Sequence, residues 1–314
     1  MATRTSMRVR IDRLAALSLL LVLAAAASVT AAEPDLRLVD AMAERNSALL
    51  RTLLDEGVDV NSARADGATA LLWAAHWDDV DAAERLLRAG AGVNAADDHG
   101  VTPLARACEN AGTEMVRLLL GAGADPNAAQ VNGLTPLMTA ARTGSADIVR
   151  ALLASGAEVD AATAVTRETA LTWAVAARRV ETVRLLIDSG ASVHPNPGQA
   201  FSPLMAAARN GDIETATVLL AAGARVNDTA ADGTHPLPYA IVVGESAFAL
   251  FLLEQGADPN GAIEGTTALH AAAGPVDIWL NLWSRRHGGG GARHLPLPKD
   301  ERLALVPARL EQGA

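Results

Sequence analysis

Cys108 and seven histidines are the residues of this 314-residue chain whose types could do covalent or metal chemistry. A nucleophilic thiol needs a neighbouring base or a positive field to hold it as thiolate. Cys108 instead closes the phrase TPLARAC (102–108), and the same place in sister phrases is held by Ala, Val or Ile, so it reads as a small core residue. His287 and His294 flank the run Gly288–Gly291, but no thiol or carboxylate stands at ligand spacing beside them. That glycine run has no Lys-Ser or Lys-Thr after it and no strand before it, so it does not make a phosphate cradle. The carboxylates are scattered through turns and solvent faces. No catalytic residue, metal ligand or cofactor site is expected, and an enzyme is not the expected class.

The chemistry that remains is recognition, and the elements that would position it repeat. The phrases GVDVN (57–61), GAGVN (90–94), GADPN (123–127), GAEVD (156–160), GASVH (190–194), GARVN (223–227) and GADPN (256–260) recur at spacings of 33, 33, 33, 34, 33 and 33. A second phrase keeps step: TALLWAA (69–75), TPLARAC (102–108), TPLMTAA (135–141), TALTWAV (169–175), SPLMAAA (202–208), HPLPYAI (235–241) and TALHAAA (267–273). Within 102–129, Thr102 is an N-cap and Pro103 takes the first helical position. Leu104, Ala107 and Cys108 share one face of a short helix ending near Ala111–Gly112. Met115, Val116, Leu118, Leu119 and Leu120 supply the apolar face of a second helix, which Gly123 ends in a left-handed conformation. The Asp-, Asn- and Gly-rich stretch that follows reads as a projecting turn. Such short helices are marginal alone and gain stability by burying their faces on neighbours in a stack.

These two phrases at this pitch resemble ankyrin repeats over about residues 36–273. The resemblance implies an all-α solenoid of stacked helix pairs with projecting hairpin fingers. It also implies a non-enzymatic scaffold that binds a partner protein on the groove formed by fingers and first helices. In that frame His270 is the family's structural histidine, and residues 36–61 form an N-terminal capping unit with Asp40, Glu44 and Arg45 on its polar side. Six full repeats and the start of a seventh complete an array spanning 32–274. The groove positions follow each first helix: His76/Trp77, Glu109/Asn110, Arg142/Thr143, Ala176/Ala177, Arg209/Asn210 and Val242/Val243. The partner-binding set is therefore His76, Trp77, Glu109, Asn110, Arg142, Thr143, Arg209 and Asn210. Trp77 has two readings, an exposed anchor or a ring leaning back over the first helix pair. Trp73 and Trp173 share a slot with Tyr239 and are expected in the core. Asp97, Asp98, His99, Gln130 and Asn132 are finger residues that could add a polar rim.

The pattern breaks at three places. The finger at 165–168 (VTRE) lacks its turn glycine, HPNPGQAFS (194–202) holds two prolines, and Gly313 follows Gly256 by 57 residues rather than about 33. Residues 275–314 are read as an irregular segment with a Gly-rich insertion, ending in either a truncated or a decayed last unit. Within it PVDIWLNLW (275–283) is a lid on the stack or, alternatively, a docking helix through which 275–298 attaches the scaffold to a membrane surface.

At the other end, Arg4, Arg8, Arg10 and Arg13 precede the apolar run 14–29, with Val29 and Ala31 before a cut at Ala32. This is the layout of a signal peptide over 1–31, and the run is short of the ~20 residues a spanning helix needs. Export to a periplasmic or extracellular space is expected, and the single cysteine excludes an internal disulfide there. The formal charge is -10; residues 1–31 and 284–314 each carry +3, leaving -16 over 32–283. Such a body repels phosphate, so a monomer with an unidentified protein partner is expected and nucleic acid is not.

Overall fold

The computed structural model describes residues 35–199, 201–263 and 265–268. The calls on the signal peptide, His270, 275–298 and the final unit lie outside these residues. Met1–Leu36 and Arg37–Ala314 are separate units by their internal packing, and the described fold belongs to the second. It contains seven helix pairs: α1 Arg37–Ala43 with α2 Ser47–Asp55, α3 Ala70–His76 with α4 Val80–Arg88, α5 Pro103–Glu109 with α6 Thr113–Gly121, and α7 Pro136–Thr143 with α8 Ala146–Ala154. The series continues with α9 Ala170–Ala176 and α10 Val180–Asp188, α11 Pro203–Arg209 and α12 Ile213–Ala221, and α13 Pro236–Val242 and α14 Ser246–Glu254. Strands β1 Ala262–Ile263 and β2 Thr266–Thr267 pair antiparallel in a two-stranded finger.

Five of the seven first helices, α3, α5, α7, α9 and α11, start on a hydroxyl cap. Thr69, Thr102, Thr135, Thr169 and Ser202 accept from the backbone N–H three residues on, at 3.2, 3.2, 3.3, 3.5 and 3.2 Å. At α13 the cap position is His235, whose Nδ1 instead lies 3.1 Å from the Ala262 carbonyl. First helices pack serially in the order α1, α3, α5, α7, α9, α11, α13, and second helices from α2 to α12 do the same behind them. One apolar core runs from Leu38 to Ala268 between the two rows, with Leu53, Leu86, Leu119, Leu152, Leu186, Leu219 and Leu252 recurring in it. Burying each such leucine stabilises by ~1.5–3 kcal/mol, which outweighs the poor intrinsic stability of seven- to nine-residue helices.

The finger turns are also bonded in series: Asp98 N–H donates to Asp66 carbonyl, Val131 N–H to His99, and Ala164 N–H to Asn132. Where the fourth finger lacks glycine, Arg167 itself takes the left-handed backbone at φ 56°. The proline-bearing finger turns inward on Gln199, which is 1% exposed and donates from Nε2 to Thr172 Oγ1 at 2.8 Å. Among the described residues no helix is long and apolar enough to cross a membrane.

Candidate functional site

The first-helix C-termini bring the expected residues into one row, but they do different work. Asn110, exposed in the chain, spends its amide on the preceding helix: Nδ2 donates to the Ala75 and His76 carbonyls at 3.1 and 2.7 Å. Asn210 repeats this on α9, donating to Ala176 and Val175 at 3.0 and 3.4 Å. Both satisfy carbonyls that a helix end leaves open, so their first role is to join repeats. Thr143 donates to its own helix at the Ala140 carbonyl, 2.9 Å away. Glu109 pairs with Arg106 at 2.6 Å, an intrahelical bridge with both side chains largely covered. Arg142 and Arg209 are exposed, and among the described residues their guanidiniums make no hydrogen bond or ion pair.

At the N-terminal end of the row the aromatics cluster. Trp77 is half-buried just past α3, its ring stacked on Trp73 at 6.1 Å with 25° between planes, and His76 stands edge-on to it at 4.5 Å. Trp77 leans on Trp73 and is partly covered, which is the geometry of the second reading. Two arginines that the sequence did not single out for this role close over the rings. Arg45 lies 5.3 Å from the Trp77 centroid and Arg64, held by Asp40 at 2.7 Å, lies 5.5 Å from Trp73. The same motif recurs further along, with Arg142 over Trp173 at 6.0 Å and Arg209 over Phe201 at 5.6 Å.

Trp73 and Trp173 differ from the core placement expected of them. Each is half-buried against the core, because a guanidinium rather than an apolar side chain covers its outer face. Their sister Tyr239 is 1% exposed, with Phe201 edge-on against it. Burial pushes the Tyr239 hydroxyl well above its ordinary pKa, and the Arg209 charge only partly opposes this. The indole N–H groups of Trp73, Trp77 and Trp173 are buried and have no acceptor among the described residues.

Of the five finger residues, Asp97 and Asn132 commit their side chains to their turns. Asp97 Oδ1 accepts from the His99 and Val101 N–H groups at 2.9 Å each, and Asn132 Oδ1 accepts from Leu134 at 2.9 Å. Cys108 is fully buried, and burial first, then the Glu109 charge, pushes its thiol up to about 12. It is neutral at physiological pH and inert in the sense a core residue should be. No cluster of three or more metal-ligating side chains occurs among the described residues.

Serially stacked helix pairs with capped first helices and bonded fingers define a repeat solenoid. The family described as "Ankyrin repeats (3 copies)" matches at residues 38–130, 127–197 and 204–282, and the chain belongs to the ankyrin-repeat family. Among solved structures it is similar to the human ASB11 ankyrin repeat domain, at 32% identity and TM-score 0.62, over 71% of this chain and 98% of that one. No curated protein matches the chain. Ankyrin repeats generally mediate protein–protein interaction.

Proposed function

We propose that the chain is a non-enzymatic scaffold that binds one partner protein across the C-terminal ends of its first helices, with Trp77 as the anchor. The carrying observation is the Trp73–His76–Trp77 cluster, an accessible aromatic group on a rigid, serially bonded frame. A surface already ordered before association loses little further entropy on binding, and a few aromatic and arginine residues then set affinity. The N-terminal segment supports export of the chain before it meets this partner.

The test is affinity capture from envelope and secreted fractions of the native organism, followed by titration of the captured protein. Baits are the chain and a copy with Trp77→Ala and Arg142→Ala. Asn110 and Asn210 are left alone because they join repeats. Removing the Trp77 anchor should weaken the complex by ~2 kcal/mol or more while the circular dichroism is unchanged. Equal affinity of the two folded baits for the captured protein would reject this surface.

A further inference from the structure

We propose that the ends of α7, α9 and α11 form a cationic subsite that takes an acidic peptide segment of the partner, a run of Asp or Glu carboxylates. The inference rests on the first-helix surface being the binding face and adds the chemistry of what it receives. Arg142, Arg178, Arg179 and Arg209 are all exposed there. Arg179 Nε donates to the Arg142 carbonyl at 3.3 Å, which sets the α7 and α9 ends side by side. Asn210 bonded to the α9 carbonyls brings the α11 end against them in turn. One carboxylate, Asp212, comes within ion-pair range of this group, 3.9 Å from Arg178. It also caps α12, accepting from Thr215 N–H at 3.1 Å and Thr215 Oγ1 at 2.7 Å, and its one charge leaves the four guanidiniums in excess. Among the described residues Arg142, Arg179 and Arg209 make no ion pair.

The rest of the body is acidic, and distance decides which charge a ligand feels. At physiological salt the screening length is ~8 Å, so a peptide on these three helix ends responds to its nearest guanidiniums and little to distant carboxylates. A long polyanion would reach beyond the cluster to the acidic remainder, which favours a short carboxylate run over nucleic acid. Arginine suits this ligand because its planar fork can meet a carboxylate with two bonds. Arginines also occur on the second helices, but there each groove carries its own acid: Asp55 beside Arg51 and Arg85, and Glu84 paired with Arg88 near Arg117.

The experiment uses the full chain and a fluorescein-labelled oligoglutamate peptide, read by anisotropy, with oligoglutamine and a single-stranded oligonucleotide of matched length as comparisons. One variant carries Arg142→Gln, Arg178→Gln and Arg209→Gln. A charge-matched control carries Arg51→Gln, Arg85→Gln and Arg117→Gln. Arg179 is retained because it bonds the α7 terminus. Expected is salt-sensitive binding of oligoglutamate alone, weakened about tenfold or more in the first variant and unchanged in the control. Equal binding of oligoglutamine, tighter binding of the oligonucleotide, or equal loss in the control would each overturn the proposal. So would a captured partner that loses affinity with Trp77→Ala but not with the three glutamines, and in that case the binding surface itself would stand.

Discussion

The asparagines that end the G-A-x-x-N phrases at 94, 127 and 227 tie one repeat to the next. Asn127 donates from Nδ2 to the Gly156 carbonyl at 3.0 Å and accepts from Glu158 N–H at 2.8 Å. Asn94 makes the same two bonds to Gly123 and Asp125, and Asn227 makes them to Gly256 and Asp258. An amide can do both, whereas a carboxylate has no donor. At Asp160 the acceptor half survives, from Ser192 N–H at 2.9 Å. Asp160→Asn should therefore supply a donor to the Gly190 carbonyl and stabilise the chain by ~0.5–1.5 kcal/mol, whereas Asn127→Ala should cost ~1–2 kcal/mol. Urea denaturation of the two variants checks both signs, and a neutral or destabilising Asp160→Asn would show that the missing bond is met otherwise. The recurrence of this asparagine was visible in the sequence, but its reach across repeats was not, because its partners lie some thirty residues on. For the same reason the pairings of Arg45 with Trp77 and of Arg64 with Trp73 could not be read from spacing: each joins a turn of one unit to a ring of the next.

Fingers and helix ends are where element geometry is most constrained. Gly133 has φ 81°, and a Cβ there would stand 2.7 Å from Ala164 N and 3.2 Å from Thr163 Cα in the next finger. Gly156, with φ 90° at the end of α8, has nothing within 4 Å of such a Cβ. Both substitutions to Ala pay for the left-handed backbone, ~1–2 kcal/mol, but only Gly133→Ala must also push a neighbouring backbone aside. Its loss of stability in thermal or urea unfolding should exceed that of Gly156→Ala by a further ~1 kcal/mol or more. Equal losses would mean that the fingers yield freely. Helix caps, the α5 proline, the buried faces and the left-handed glycines were legible because they follow local rules that recur in every unit. The inward turn at Gln199 was not: HPNPGQAFS announces irregularity through its prolines, but nothing local says that an amide will bond Thr172. The slot shared by Trp73, Trp173 and Tyr239 was half legible for a related reason. Register fixed which way the ring faces, and the residues arriving from adjacent units decided how deeply it is covered.

At the scale of the Arg37–Ala268 stack, each pair touches only its neighbours, so stability is a sum of pair and interface contributions rather than the property of one central core. Leu152 tests this. It is fully buried in α8, a helix packed between α6 and α10 as well as on α7. Leu152→Ala should cost ~2–5 kcal/mol, a large part of the ~5–15 kcal/mol that holds a typical domain. In a globular core that loss would spread through the molecule. In a serial stack it should weaken α7, α8 and the interfaces on either side, while α1–α4 keep the contacts they make with one another. Amide exchange by mass spectrometry should then show protection falling most in α7–α10 and least in α1–α4. A uniform fall across every helix would mean that the stack opens as one unit and that coupling between repeats exceeds the stability of any pair. The same measurement bears on binding, because the Arg142–Arg209 surface spans the weakened pairs and the Trp77 cluster does not. If exchange is local, Leu152→Ala should loosen an acidic ligand of the first while leaving the second intact.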